Sequence, residues 1–129
     1  MNPAIWVERH GRLLPDGPAI ADGVDVYSTW SEFSARVARL AAGLRARYGL
    51  AEGDRVAILM RNRPEYLEAK FAVWHAGLVA VPVNARLHRE EIAYILEHSG
   101  ASIVVTDDDH VADVDGLVGS LASLRAVVL

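Results

Sequence analysis

The sequence predicts an α/β fold, a mainly parallel sheet with helices on both faces, preceded by a small β-hairpin. Three observations predict it. The runs Val56-Ala57-Ile58-Leu59-Met60, Leu78-Val79-Ala80-Val81-Pro82-Val83 and Ile103-Val104-Val105-Thr106 are apolar throughout rather than alternating. Strands read that way when helices cover both faces of their sheet. From Asp54 onward, glycine-stopped helical stretches separate these runs, so the order is strand, helix, strand, helix, strand, helix, strand. Short connections between such elements are the pattern of right-handed crossovers in a parallel sheet. Finally, 129 residues, 52% hydrophobic and 23% charged, are enough chain to bury one core.

In order, residues 3–12 predict a short helix with Ile5, Trp6 and Leu13 facing inward. Leu14-Pro15-Asp16-Gly17-Pro18 is turn chemistry, and Ala19–Ala21 and Val26–Ser28 flank Asp22-Gly23-Val24-Asp25 as a hairpin. Thr29 and Glu32 stand three apart as a capping box. The helix they open places Phe33, Val37, Leu40, Leu44 and Tyr48 on one stripe and stops at Gly49. Arg36, Arg39 and Arg47 fall off that stripe, on a solvated face. After the first buried strand, Asn62 is placed to cap a helix whose first turn holds Pro64 and Glu65. This helix has little polar face and is expected to be mostly buried, with His75 as a hydrogen-bonded core histidine at its end. Arg61 and Arg63 are read as loop charges beside the cap, in preference to a phosphate site at the helix N-terminus.

Gly77 then stops the helix, and the apolar run 78–83 delivers Asn84-Ala85-Arg86 to the carboxyl end of its strand. Ligands of parallel sheets are met there, which makes Asn84 and Arg86 the candidate binding residues. Arg89-Glu90-Glu91 opens the next helix, with Ile92, Ile95 and Leu96 as its stripe and Gly100 as its stop. Asp107-Asp108-Asp109-His110 follows the strand 103–106. Adjacent carboxylates point in different directions and lack the alternating ligands and glycine of a calcium loop, so this stretch reads as a strand-end loop capping a helix through Val111, Val114, Val118 and Leu121. Ala126–Leu129 is a last strand.

Composition removes several classes of function. No cysteine is present, which excludes thiolate nucleophiles, disulfides and cysteine zinc sites. Acidic and basic residues are interspersed at a net charge of −4, so no concentrated basic face is offered to nucleic acid. The histidines show no pair at i, i+4, and no metal site is assigned. No basic leader with an apolar core begins the chain and no run approaches the ~20 residues of a membrane helix, so a cytoplasmic protein is expected. Lys70, inside a helix, is the only lysine among 13 basic residues.

The chain resembles the N-terminal part of AMP-forming acyl-CoA synthetases, the superfamily that also holds luciferases and peptide-synthetase adenylation domains. Thr29-Trp30-Ser31-Glu32-Phe33 is similar to that family's Thr-Tyr-x-Glu-Leu helix start, and Gly53-Asp54-Arg55-Val56-Ala57 to its Gly-Asp-x-Val-Ala. Asn62-Arg63-Pro64-Glu65-Tyr66 resembles Asn-x-x-Glu-Phe/Tyr. Ala76-Gly77 with Val81-Pro82-Val83-Asn84-Ala85-Arg86-Leu87 resembles Ala-Gly-x-x-x-x-Pro-x-Asn-Pro-Arg-Leu, with Ala85 in place of the second proline. Ile95–Ala101 continues the likeness. The ordered set spans essentially the whole chain.

The resemblance implies that residues 1–129 are the N-terminal subdomain of a large adenylate-forming domain, ending before its phosphate-binding loop. It implies ATP, magnesium and CoA as the cofactors of the parent, with a small carboxylic acid as substrate. Neither the Ser/Thr/Gly-rich loop ending in Pro-Lys-Gly nor a later adenylating lysine is found here. No catalytic residue is therefore assigned, and no cofactor is expected to bind tightly to these residues alone. By resemblance, Asn84 and Arg86 lie near the CoA nucleotide path, where Arg86 can pair with a phosphate; the alternative is a pairing with Glu90. Two other readings stand beside the ligase: an amino-acid adenylation domain, and a flavodoxin-like binding module. Against a receiver-type module, Asp107–Asp109 are not matched by a lysine at a late strand end. Because Leu129 falls in an apolar strand without cap or polar tail, a longer parent is expected, and with it self-association through an open strand edge.

Overall fold

The computed structural model describes residues 1–129, which divide into two compact units. The first comprises Met1–Gly49 and Asn62–Gly77, the second Leu50–Arg61 and Leu78–Leu129. The fold is α/β, with a two-stranded antiparallel hairpin in the first unit and a four-stranded parallel sheet in the second.

The first unit holds α1 (Ala4–Leu13), β1 (Pro18–Asp22), β2 (Asp25–Thr29), α2 (Trp30–Tyr48) and α3 (Pro64–His75). Glycine at position 23 takes φ 63° in the two-residue turn between β1 and β2, a conformation that other L-residues pay to adopt. The capping box forms as the sequence requires: Glu32 N–H donates to Thr29 Oγ1 at 3.3 Å, and Thr29 N–H to Glu32 Oε2 at 2.8 Å. Val7, Ile20, Phe33 and Val37 make the core, with Trp30 and Phe71 packed around it. The rings of Phe33 and Phe71 meet edge to face at 5.6 Å.

Several expectations for this unit are corrected. Ile5, Trp6 and Leu13 do not face inward; they are exposed, and Ala4 and Val7 are buried instead. The reason is Gly11, where α1 meets α2 so closely that a Cβ would lie 2.8 Å from the Cβ of Ser34 and 3.3 Å from the carbonyl of Trp30. Only the face with small residues can approach that near. In α2 the stripe runs through Ala41 rather than Leu40, which is exposed. Arg36 is not merely solvated: its Nη1 donates to Glu68 Oε1 at 2.8 Å, and its guanidinium lies 5.1 Å from the Tyr27 ring centre. Glu68 is buried on α3, a position a carboxylate occupies when a partner compensates its lost hydration. Arg63, not Asn62, is the N-cap of α3, and no side chain caps that end. His75 is exposed rather than in the core.

The second unit is the sheet, in the order β4 (Val79–Val83), β3 (Arg55–Leu59), β5 (Ile103–Thr106), β6 (Ala126–Val128), with α4 (Arg89–Ser99) and the single turn α5 (Val111–Val114). Val56, Ala57, Ile58 and Leu59 are all 0% exposed, so both faces of β3 are covered. On one face Ala57, Leu59, Val83 and Val104 pack with Ile92 and Leu96 of α4 and Val114 of α5. The apolar run 78–83 is less buried than its composition predicts. Strand β4 stands at the edge of the sheet, where Val79 and Pro82 are exposed, and an edge tolerates a proline that a central strand would not. The last predicted helix is also corrected. It ends after Val114, because Gly116 takes φ 80°, and the chain continues as turns to β6.

Two glycines on neighbouring helices separate steric need from conformational cost. Gly11→Ala gains up to ~1 kcal/mol of helix propensity but forces about 1–3 kcal/mol of overpacking, and should lower the urea midpoint at unchanged m-value. Gly43→Ala, with nothing within 4 Å of the new methyl, should raise the midpoint through a stability gain of about 0.5–1 kcal/mol.

Candidate functional site

Parallel strands aim their carboxyl ends at one edge of a sheet, and loops at that edge are where such folds place their chemistry. Here β3 leads to Met60 and Arg61, β4 to Asn84–His88 and β5 to Asp107–His110. Thr106 Oγ1 donates to the Leu59 carbonyl at 2.8 Å and locks the ends of β5 and β3 together.

The β4 loop is built by Asn84. Its Oδ1 accepts the Arg86 N–H at 3.0 Å, and its carbonyl accepts the Leu87 N–H at 3.2 Å. An asparagine side chain closing on the backbone two residues ahead is a turn in itself, so the loop needs no proline at Ala85. Ala85 and Leu87 rest on the core cluster, which leaves the side chain between them, Arg86, exposed. Arg86 forms no ion pair with Glu90, which is also exposed. Glu91 instead holds the start of α4, accepting the His88 N–H at 2.9 Å. Arg89 reaches across to α5, donating to the carbonyls of Ala112 at 2.9 Å and Asp115 at 2.7 Å. That clamp fixes the loop's far end.

The β5 loop holds a pair that the sequence reading passed over as a helix cap. Asp107 and His110 are both buried, and Asp107 Oδ1 accepts both the His110 ring Nδ1–H, at 2.5 Å, and the His110 backbone N–H, at 3.1 Å. Burial opposes the charge on Asp107, but the His110 ring and the backbone N–H groups of Arg61 and His110 outweigh it and hold the carboxyl below its ordinary range. The signal was present as Asp-x-x-His directly after an apolar strand, a spacing that returns the imidazole onto the carboxylate. Asp108 and Asp109 are exposed, and no three acidic or histidine side chains converge on a metal-sized site.

Of the two arginines before α3, Arg63 is accounted for by an ion pair. Arg63 and Glu65 form a two-pronged pair at 2.9 and 3.2 Å, and Arg63 holds the Glu65 carboxyl below its usual range. Arg63 is thus engaged by an acid of its own helix.

Residues 7–129 match the model of the AMP-binding enzyme family, and the chain belongs to that family. A feruloyl-CoA synthase from Amycolatopsis is 45% identical over 112 residues, covering 87% of this chain and 22% of that protein. The 4-hydroxybutyrate–CoA ligase 2 of Metallosphaera sedula is 38% identical over 110 residues, covering 85% of this chain and 20% of that one. Among solved structures, a candidate long-chain-fatty-acid CoA ligase from Rhodopseudomonas palustris CGA009 superposes with a TM-score of 0.87 at 38% identity, over 100% of this chain and 33% of that one. The chain spans about a fifth of the length of the curated relatives it matches.

Asp107 makes a prediction with a sign. Its carboxyl lies below the ordinary 3.8, so its stabilisation is fully present above that value and is lost as pH falls through the lowered one. Asp107→Asn should cost about 1.5–3 kcal/mol at pH 7. The gap between variant and native chain, read by urea unfolding, should close as pH drops below about 4.

Proposed function

We propose that residues 1–129 are the N-terminal part of an AMP-forming carboxylic acid–CoA ligase, which converts an acid, ATP and CoA into the acyl-CoA, AMP and pyrophosphate. The observation that carries the reading is the family match over residues 7–129, together with relatives whose names are those of CoA-thioester-forming enzymes. The substrate is a small carboxylic acid of the fatty or aryl class, the setting fatty acid metabolism, and the location the cytoplasm.

Within this segment, Asn84 and Arg86 are the CoA-side residues. Asn84 sets the turn, and Arg86, exposed and unpaired, presents a guanidinium whose planar fork suits a phosphate. ATP and magnesium call for groups the segment does not carry. Its one lysine, Lys70, lies on α3 with its ammonium 4.9 Å from the Trp74 ring centre, and no phosphate-loop lysine stands at the sheet edge. Catalytic groups are therefore contributed by residues outside 1–129, and the segment binds no nucleotide tightly.

Two measurements test this. Residues 1–129 alone should leave pyrophosphate release at background with ATP, magnesium and a panel of acids. In the ligase that carries the segment, Arg86→Ala should raise the KM for CoA about ten- to a hundredfold and spare the adenylation half-reaction. Equal losses in both half-reactions would make Arg86 a structural residue.

The proposal also covers association. Strand β6 pairs with β5 on one side only and carries no charge or proline from Ala126 to Val128, the devices that guard an open edge. Light scattering across a concentration series should show species heavier than 14.0 kDa; a strictly monomeric chain refutes it.

A further inference from the structure

The entry into α4 has little core of its own. Leu87 rests on the core cluster and Ile92 is fully buried, but His88, Arg89, Glu90 and Glu91 between them are all exposed. The backbone bonds here stay inside the turn: Glu91 and Ile92 N–H both donate to the His88 carbonyl, each at 3.0 Å. Arg89 is the residue that reaches out of it. Its Nη1 donates to the Ala112 carbonyl at 2.9 Å and its Nη2 to the Asp115 carbonyl at 2.7 Å, 23 and 26 residues along the chain. Both acceptors lie at the end of α5, a helix of 4 residues, whose last carbonyls have no partner within the helix. A cation is also favoured there by the helix dipole. The start of α5 is held as well. His110, its N-cap residue, is tied through its ring and its backbone N–H to Asp107, which also accepts the Arg61 backbone N–H beyond β3. Hydrogen bonds therefore run from the end of β3 through Asp107, His110 and α5 to Arg89.

We propose that Arg89 is a positioning residue for Arg86, fixing the far end of the loop 84–88 against α5 and with it the backbone that carries Arg86. The near end is closed by Asn84, whose Oδ1 accepts the Arg86 N–H at 3.0 Å. Arginine suits the far end because its planar fork delivers separate N–H groups to two carbonyls at once, whereas an ammonium group is a point charge. Arg89 spends that fork on the protein's own carbonyls, and Arg86 makes no such contact and stands exposed. A loop released at one end spends less time in the conformation that receives a ligand, and apparent affinity falls by that fraction. The effect on CoA rests on the CoA-side reading of Arg86; the hold on the loop rests on the hydrogen bonds alone.

In the ligase that carries the segment, hydrogen–deuterium exchange and kinetics read these two parts separately. Arg89→Ala should speed exchange of the Arg86 and Leu87 amides at least about tenfold and leave residues 92–97 of α4 protected as before. It should raise the KM for CoA about three- to tenfold and spare the adenylation half-reaction. Arg89→Lys, which keeps the charge and loses the fork, should behave like Arg89→Ala. On an Arg86→Ala background, Arg89→Ala should change the KM for CoA by less than about twofold, because it acts through Arg86. Unchanged exchange in the loop, faster exchange throughout α4, full rescue by lysine, or an additive loss on the Arg86→Ala background overturns the proposal. A native KM for CoA in Arg86→Ala alone overturns the CoA-side reading instead, and selective loop exchange in Arg89→Ala then still bears out the hold on the loop.

Discussion

Strand β3 is enclosed on all sides, and the second unit follows from that enclosure. Val56 to Leu59 expose nothing to water, so every N–H and C=O among them must be satisfied by neighbouring strands. Those neighbours, β4 and β5, run parallel to it in register, Ala57 opposite Val81 on one side and Val104 on the other. Parallel neighbours cannot be joined by tight turns, so each return is made through a crossover, and the loops that matter collect at one edge.

The two buried carboxylates of this protein are each admitted with a partner. Glu68 enters with Arg36 and Asp107 with His110, because a single charge would lose its hydration without repayment. The two pairs differ in consequence. Arg36–Glu68 joins two helices of the first unit, whereas Asp107–His110 stands at the carboxyl edge of the sheet and also draws on the Arg61 backbone N–H. Ser28 is the contrast: its hydroxyl is buried without a partner.

Arg86 owes its exposure to its neighbours. Asn84 closes the turn, Ala85 and Leu87 are drawn onto the core, and Arg89 is committed to the α5 carbonyls. Each neighbour has a structural partner, and the side chain left over, Arg86, stands exposed. A short apolar–polar alternation after an edge strand thus fixes the backbone of Arg86 and leaves its guanidinium exposed.

What the sequence determined by itself is local or periodic. All-apolar runs gave the strands, Thr29 and Glu32 the start of α2, Gly49 and Gly100 the helix stops, and the chain order the parallel sheet, because each depends on residues within a turn or two of one another. The position of Asn84 and Arg86 in the loop after β4 was legible for the same reason, as a polar step at a strand end. Tertiary structure alone decided the rest. Which face of α1 is inside depends on how closely Gly11 approaches Ser34, and hydrophobicity ranks Trp6 and Ile5 above the Ala4 and Val7 that fit. That 78–83 is an edge strand is set by sheet order, which composition does not encode. Arg36 finds Glu68 across 32 residues, a meeting fixed by the packing of α2 on α3. A pattern records what a side chain prefers; only the assembled chain determines which neighbours are near enough to satisfy it.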